Sequence, residues 1–332
     1  MIFKGDMKIN NLVLILIVVL VAIGFMISYI YSNTIEDNNY SLAAASPGGT
    51  YFAMSGGLAS VFNDSIEGGN LSVQTTAGSA ENIRLLQSKE VDFALANGSE
   101  IYWAYNGEGF FEGQRYEDIR IITFGWTNVY HGVGLEKVES LEDLKGKKIG
   151  VGPRGSAAEI FHQIYYKEAG IWDDIDPVYL PPSDQVSTIK DGNLDTFGYF
   201  SGLPLSVVVD LASIRDIKFI NAVKFGEDFN FSQKYPFYVE EIIPAGTYKG
   251  QDQDVKTYAN LTYILAHKDV PEDLVYSFLK GLYSEEGLEY MKGVHNRAKE
   301  FDIKTVDKMV DKLGAPLHQG AVKFMDEIKW KK

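Results

Sequence analysis

Three separated segments carry the residue types that hold a small anion. They are Gly49, Thr50 and Tyr51 in SPGGTY, then Gly78, Ser79 and Asn82 in TAGSAEN, then Arg154, Gly155, Ser156 and Ala157 in GPRGSAA. Each follows an apolar run and precedes a helical pattern, so small residues would let a ligand approach free backbone N–H groups at the positive end of a helix dipole. Hydroxyls and an amide add donors, and the Arg154 guanidinium has the fork geometry that grips a carboxylate with two parallel bonds. Each residue also has a plain structural use. Glycine turns need no ligand, Ser79 and Asn82 can cap their own helix, and a loop arginine can be solvated or paired across an interface.

Further candidates are weaker. Asn97 and Ser99 follow VDFALA and offer an amide and a hydroxyl, although Asn97-Gly98-Ser99 also fits a plain turn or a glycosylation acceptor. Phe200, with Ser201 and Gly202, precedes another helical pattern and can wall a pocket or fill a core. Tyr130 and His131 sit on a long apolar stretch, where a lone histidine is by default structural, and His318 in PLHQGA reads as packing the chain end.

Catalytic patterns are missing. The five histidines form no H-E-x-x-H pair, no G-x-S-x-G elbow surrounds Ser55 or Ser156, and GQDQDV lacks the spacing of a calcium loop. The adjacent acids Asp173-Asp174 and Glu240-Glu241 read as solvated faces. With no cysteine, the chain has no disulfide, thiolate nucleophile, thiolate-held metal or lipidated N-terminal cysteine. These features point to binding without catalysis, cofactor or metal.

The surrounding chain must position the segments. At 332 residues, with 45% hydrophobic and 23% charged, it suits a globular body of two lobes. A net charge of −14 disfavours nucleic acid as a partner but leaves an anionic ligand open, because local N–H groups in a dry cleft outweigh diffuse surface charge. The uncharged run Leu12 to Ile30, preceded by Lys4 and Lys8, predicts a transmembrane signal anchor over 12–31, with 1–11 cytoplasmic and the body outside. Cleavage and secretion are the alternative. Ala43-Ala44-Ala45 resembles a cleavage site but reads better as the first buried strand. Residues 32–39 form a polar linker. Beyond it, apolar runs such as SLAAAS, LSVQTTA and VDFALA alternate with helical patterns, which predicts a parallel-rich α/β sheet with its ligand beyond the carboxyl ends of the strands. Ser140 to Asp143 and Ser156 to Glu159 read as helix N-caps, and Pro271 as a first helical position. Asn63, Asn70, Asn97, Asn230 and Asn260 each begin an N-x-Ser/Thr triplet.

Six segments together resemble the TAXI class of solute-binding proteins, the extracytoplasmic receptors of TRAP (tripartite ATP-independent periplasmic) transporters. They are SPGGTYFAMSGGLA, TAGSAENIRLLQSKEVDFAL, LEDLKGKKIGVGPRGSAAE, GYFSGLPLSVVVDLA, IIPAGTYKGQDQDVKTYA and APLHQGAVKFMDE, and the resemblance runs from about Tyr40 to Lys329. It implies a two-lobed, type II periplasmic-binding-protein-like α/β fold in which 40–130 and 246–332 form one lobe and 131–245 the other. It also implies a small organic acid as ligand, glutamate-like or a 2-oxo dicarboxylate, and the membrane subunits of an ion-coupled TRAP permease as partner. At Asn97 this chain departs from the Gln-Ser-Asp more frequent in that class, which bears on ligand identity. Alternatives are a sensory receptor of the same fold and, further off, an anchored extracellular hydrolase.

Overall fold

The computed structural model describes residues 19–24, 26 and 39–329. They belong to two compact units divided at Asn39/Tyr40. In the first, residues 19–24 and 26 are helical and exposed. The anchor expected over 12–31 lies mostly outside the described residues, and among the described residues no helix is long and apolar enough to cross a membrane.

The second unit is built on one ten-stranded sheet whose order is β2 (Asn70–Gln74), β1 (Asn39–Ala43), β3 (Phe93–Asn97), β10 (Val255–His267), β4 (Ile119–Gly134), β7 (Thr196–Ser201), β5 (Lys148–Gly150) and β6 (Asp176–Val178), with β8 (Lys218–Phe219) added to β4 and β9 (Val239–Ile243) to β10. Two long strands hold it together: β4, Ile119–Gly134, and β10, Val255–His267. Both are apolar and almost wholly buried, as a strand covered on both faces requires. They pair antiparallel from Ala259↔Val129 to His267↔Ile119. Beyond that stretch β10 continues against β9 (Val239–Ile243) and β4 against β7 (Thr196–Ser201), with Tyr130 opposite Phe200 and His131 opposite Tyr199. Thus β4 passes from one flank of the sheet to the other near Val129.

On one flank β1 (Asn39–Ala43) and β3 (Phe93–Asn97) are parallel, with β2 (Asn70–Gln74) outside β1. On the other flank β5 (Lys148–Gly150) is parallel to β6 (Asp176–Val178) and to β7. The sheet is therefore mixed rather than parallel-rich. The two long strands run against their neighbours, and runs like IRIITFGWTNVYHGVG carry no direction in their apolar pattern.

The helices that matter for the site begin at the glycine segments: α1 Thr50–Ser65, α2 Ser79–Gln87, α3 Gly98–Asn106 and α4 Ala157–Glu168. Gly78 caps α2 at φ 129° and ψ −152°, a conformation open only to glycine. Ser156 caps α4 with its side chain accepting from Glu159 N, and Ser140 with Asp143 forms a complete capping box. Pro271 stands at the N-cap of the helix Glu272–Leu282, one place before the position expected.

One core lies under α1, where Phe62, Phe93 and Phe278 meet edge to face at 5.4–6.0 Å. Another gathers Tyr130, Phe161, Phe200, Phe231 and Tyr238. The expected structural role of the lone histidines is seen in their bonds. His131 Nδ1 lies 2.9 Å from Val129 O and so carries the proton, while its Nε2 accepts from Tyr248 Oη at 2.8 Å. Burial pulls His131 down to about 4, which keeps it neutral. His318 donates to Val270 O and accepts from Gly320 N.

Gly198 of β7 backs directly on Tyr130 Oη and His162 Nε2, which are hydrogen-bonded to each other at 2.8 Å, and a Cβ there would overlap both. Gly198→Ala is expected to cost about 1–3 kcal/mol through overpacking. Chemical denaturation checks this, and an unchanged midpoint would show that the pair can move aside.

Candidate ligand-binding site

At the start of α1 three hydrogen bonds tie the two flanks of the sheet. Thr50 N donates to Ser201 Oγ at 3.2 Å, the two hydroxyls lie 2.8 Å apart, and Gly202 N donates to Thr50 Oγ1 at 2.8 Å. This contact separates two spaces. Outside it, Gly48, Gly49, Thr50, Phe52, Val209 and His295 border an open groove of about 620 Å³. Inside it lies a cavity of about 20 Å³, room for one water. The inner cavity is the better ligand site, despite its size, because the polar groups converge there.

Of the expected residues, the fold brings Tyr51, Gly78, Ser79, Asn97, Ser156, Ala157 and Phe200 to the inner cavity. Asn97 Oδ1 accepts from Tyr51 Oη at 2.6 Å, Thr262 Oγ1 at 3.0 Å and Asn128 Nδ2 at 3.3 Å. Ser79 Oγ accepts from Asn97 N at 3.2 Å, and Asn128 Oδ1 accepts from Trp126 Nε1 at 3.0 Å. Burial raises the Tyr51 hydroxyl well above its ordinary value, so it stays a proton donor. The network contains no charged side chain.

Several donors at the cavity take no acceptor among the described residues. They are the backbone N–H groups of Ser79, Ala157 and Ala158, the Asn97 Nδ2 and the Tyr199 Oη. Ser79 opens α2 and Ala157 opens α4, and Ala80 N donates to Gly155 O at 3.1 Å, so two helix N-termini face one point. Their dipoles add in a space with no charged side chain in its wall.

Five expected residues stand elsewhere. Asn82 is a brace: its Nδ2 donates to Ala43 O, Ala44 O and Leu95 O, and its Oδ1 accepts from Thr76 Oγ1. The Arg154 guanidinium lies 3.7 Å over the Tyr179 ring and 3.8 Å from Glu159, with its side chain 71% exposed, so stacking and an ion pair hold it outside the cavity. Gly49 and Thr50 border the outer groove, and the Thr50 hydroxyl is engaged by Ser201 and Gly202. Gly155 lends its N–H to Glu159 Oε2 and its carbonyl to Ala80.

Sequence reasoning passed over Asn128, Tyr199, Thr262 and Glu100. Asn128 and Thr262 are polar positions inside strands that otherwise read as continuous apolar runs, and that interruption was the available signal. Glu100, in the first turn of α3, is fully buried, and both carboxylate oxygens lack a hydrogen-bond partner. Among the described residues, no group of histidine, cysteine, aspartate or glutamate could hold a metal ion.

The strand order and the helices over it make this an α/β fold built on a single mixed sheet. The profile of the NMT1-like family matches residues 42–328, and the chain belongs to that family. Solved structures similar to it include a Bordetella bronchiseptica RB50 protein, at 15% identity and TM-score 0.49 over 87% of this chain and 88% of that one. Another is the periplasmic aliphatic sulphonate binding protein SsuA from Escherichia coli, at 15% identity and TM-score 0.41 over 87% and 82%. The ligand binding component of an ABC-type import system from Staphylococcus aureus is similar at 11% identity and TM-score 0.44 over 88% and 91%.

Two measurements probe this geometry. Asn82→Ala would take the amide donor from the buried carbonyls of Ala43, Ala44 and Leu95 and is expected to cost about 2–4 kcal/mol in denaturant unfolding. Burial pushes Glu100 up to about 8 from 4.5, so the folded chain holds this proton where the unfolded chain has released it. Stability is then highest below pH 4.5 on this account and falls as pH rises toward 8. Burial lowers His131 and His162 to about 4, and these two lose stability in the opposite direction, as pH falls below 6.5. The difference between wild type and Glu100→Gln cancels the histidines, and it should grow in favour of the variant from pH 5 to pH 8.

Proposed function

We propose that this protein is an extracytoplasmic solute-binding protein that captures a small carboxylate between two lobes and delivers it to a membrane permease. The observation that carries the reading is the convergence of the free N–H groups of Ser79, Ala157 and Ala158 with Asn97 Nδ2 and Tyr199 Oη. Donors without cations suit an anion held by hydrogen bonds. None of these groups is a nucleophile paired with a base, so the protein performs no chemistry on what it holds.

Residues 40–130 with 246–332 act as one lobe and 131–245 as the other, with β4 and β10 as the shared spine. The Thr50–Ser201–Gly202 contact then belongs to a closed state, and the small cavity must enlarge when the lobes part. A ligand touching both α2 and α4 favours closure by its differential affinity for that state. By the resemblance of its six segments, the receptor is of the TAXI class, its ligand a glutamate-like or 2-oxo acid, and its partner the membrane subunits of an ion-coupled TRAP permease. Residues 12–31 tether it to the membrane, or are removed on secretion.

Ala157→Pro tests the reading with little collateral change. Ala157 is the first residue of α4, where proline is tolerated, and Ser156 before it is already extended at ψ 156°. The variant deletes one N–H and is expected to weaken calorimetric binding of the preferred acid about 10- to 100-fold, the loss of one bond to a charged group. Unchanged affinity would remove α4 from the site.

A further inference from the structure

We propose that the contact at Thr50 is a pH-sensitive latch, in which neutral His295 holds the two lobes together and protonated His295 releases them. This rests on the two-lobe reading above and adds a control to it. Ser201 and Gly202 belong to the 131–245 lobe, whereas Thr50, His295 and Arg297 belong to the other. Gly202 N donates to Thr50 Oγ1 at 2.8 Å, and that hydroxyl lies 2.8 Å from Ser201 Oγ. His295 backs the same hydroxyl, with Nε2 3.5 Å from Thr50 Oγ1. Gly202 presses on the same group of residues: a Cβ there would stand 2.7 Å from Arg297 Cγ, 2.8 Å from His295 Cε1 and 2.9 Å from Thr50 Oγ1. Only a residue without a side chain lets the lobes approach this closely.

The bonds of His295 assign its proton. Its Nδ1 accepts from Arg297 N at 3.0 Å, so the neutral ring carries its proton on Nε2, toward Thr50. The same bond makes His295 the N-cap of the turn Asn296–Glu300. Arg297 is held in place. Its Nη1 donates to Glu300 Oε1 at 2.7 Å, and Glu300 Oε2 accepts from Thr127 N and Thr127 Oγ1 of β4 at 3.0 and 2.7 Å. A proton added at His295 Nδ1 therefore removes the acceptor that caps the turn and sets a second positive charge beside a fixed one.

The charged groups around the ring come from three elements. Arg297 lies in its own turn, Lys292 on the preceding helix Glu285–Val294 bonds to Glu289 at 3.2 Å, and Asp210 on the helix Ser206–Ile214 of the other lobe borders the same groove. From α1 and β7 come Thr50 and Ser201, which are uncharged. Burial, and next the Arg297 charge, hold His295 below its ordinary 6.5. Parting of the lobes exposes the ring and returns it toward that value. The open form thus takes up the proton more readily, so acidification favours opening and a return to neutral pH favours closure.

The test is double electron–electron resonance on the full-length protein without ligand. The chain has no cysteine, so Ile214→Cys and Tyr290→Cys, both exposed and on opposite lobes, take nitroxide labels at those two places alone. At pH 7.5 the short distance of the closed form should dominate. By pH 5.5 the ratio of closed to open should fall about three- to tenfold, about ten being the limit for one proton and an open-form value of 6.5. His295→Asn, whose Oδ1 can cap the turn in place of Nδ1, should fold and lose this pH response. Gly202→Ala should favour the open form at both pH values. An unchanged ratio in the parent protein, or an equal change in His295→Asn, would overturn the latch while leaving the lobe motion and the carboxylate site standing. One distance throughout, in Gly202→Ala as well, would overturn the two-lobe reading itself.

Discussion

Everything at the site depends on the pairing of β4 with β10. These two strands are the only ones long enough to belong to both flanks, among the described residues, and their register sets Asn128 beside Thr262. That pair in turn supports Asn97 Oδ1, and Asn97 fixes Tyr51 and the start of α3. A slip of one residue would turn these polar side chains to the opposite face and empty the network.

As proposed, the site binds charge without carrying any in its wall. Two helix N-termini, two amides and two phenols replace the arginine that the sequence offered, and Arg154 instead stacks on Tyr179. Fixed backbone dipoles cost little side-chain entropy when a ligand arrives, whereas immobilising a long arginine would. In a chain of net charge −14, such local donors are also insulated from the acidic surface by burial and salt screening.

Local features were legible in the sequence. The glycine turn at Gly78, the Ser156 cap and the Ser140–Asp143 capping box depend on a few adjacent residues and form as their chemistry demands. Long-range features were not. Asn128 and Thr262 are 134 residues apart, and nothing in either strand announces the other. Asn82 looked like a ligand donor because it lies one turn into a helix at a glycine segment, yet the fold brings the carbonyls of Ala43, Ala44 and Leu95 to its amide. The mixed strand directions escaped for the same reason, since direction is decided by connections and not by apolar pattern.

The most direct measurement is a nuclear magnetic resonance titration of protein labelled with 15N at alanine and serine, using the acid that binds best. The amides of Ser79, Ala157 and Ala158 should move downfield together and saturate at one ligand per chain, as hydrogen bonds form to a single carboxylate at two helix N-termini. Stationary amides at these residues, with shifts confined to Ala53 and Ser206 of the outer groove, would contradict the account and move the site to the other side of Thr50.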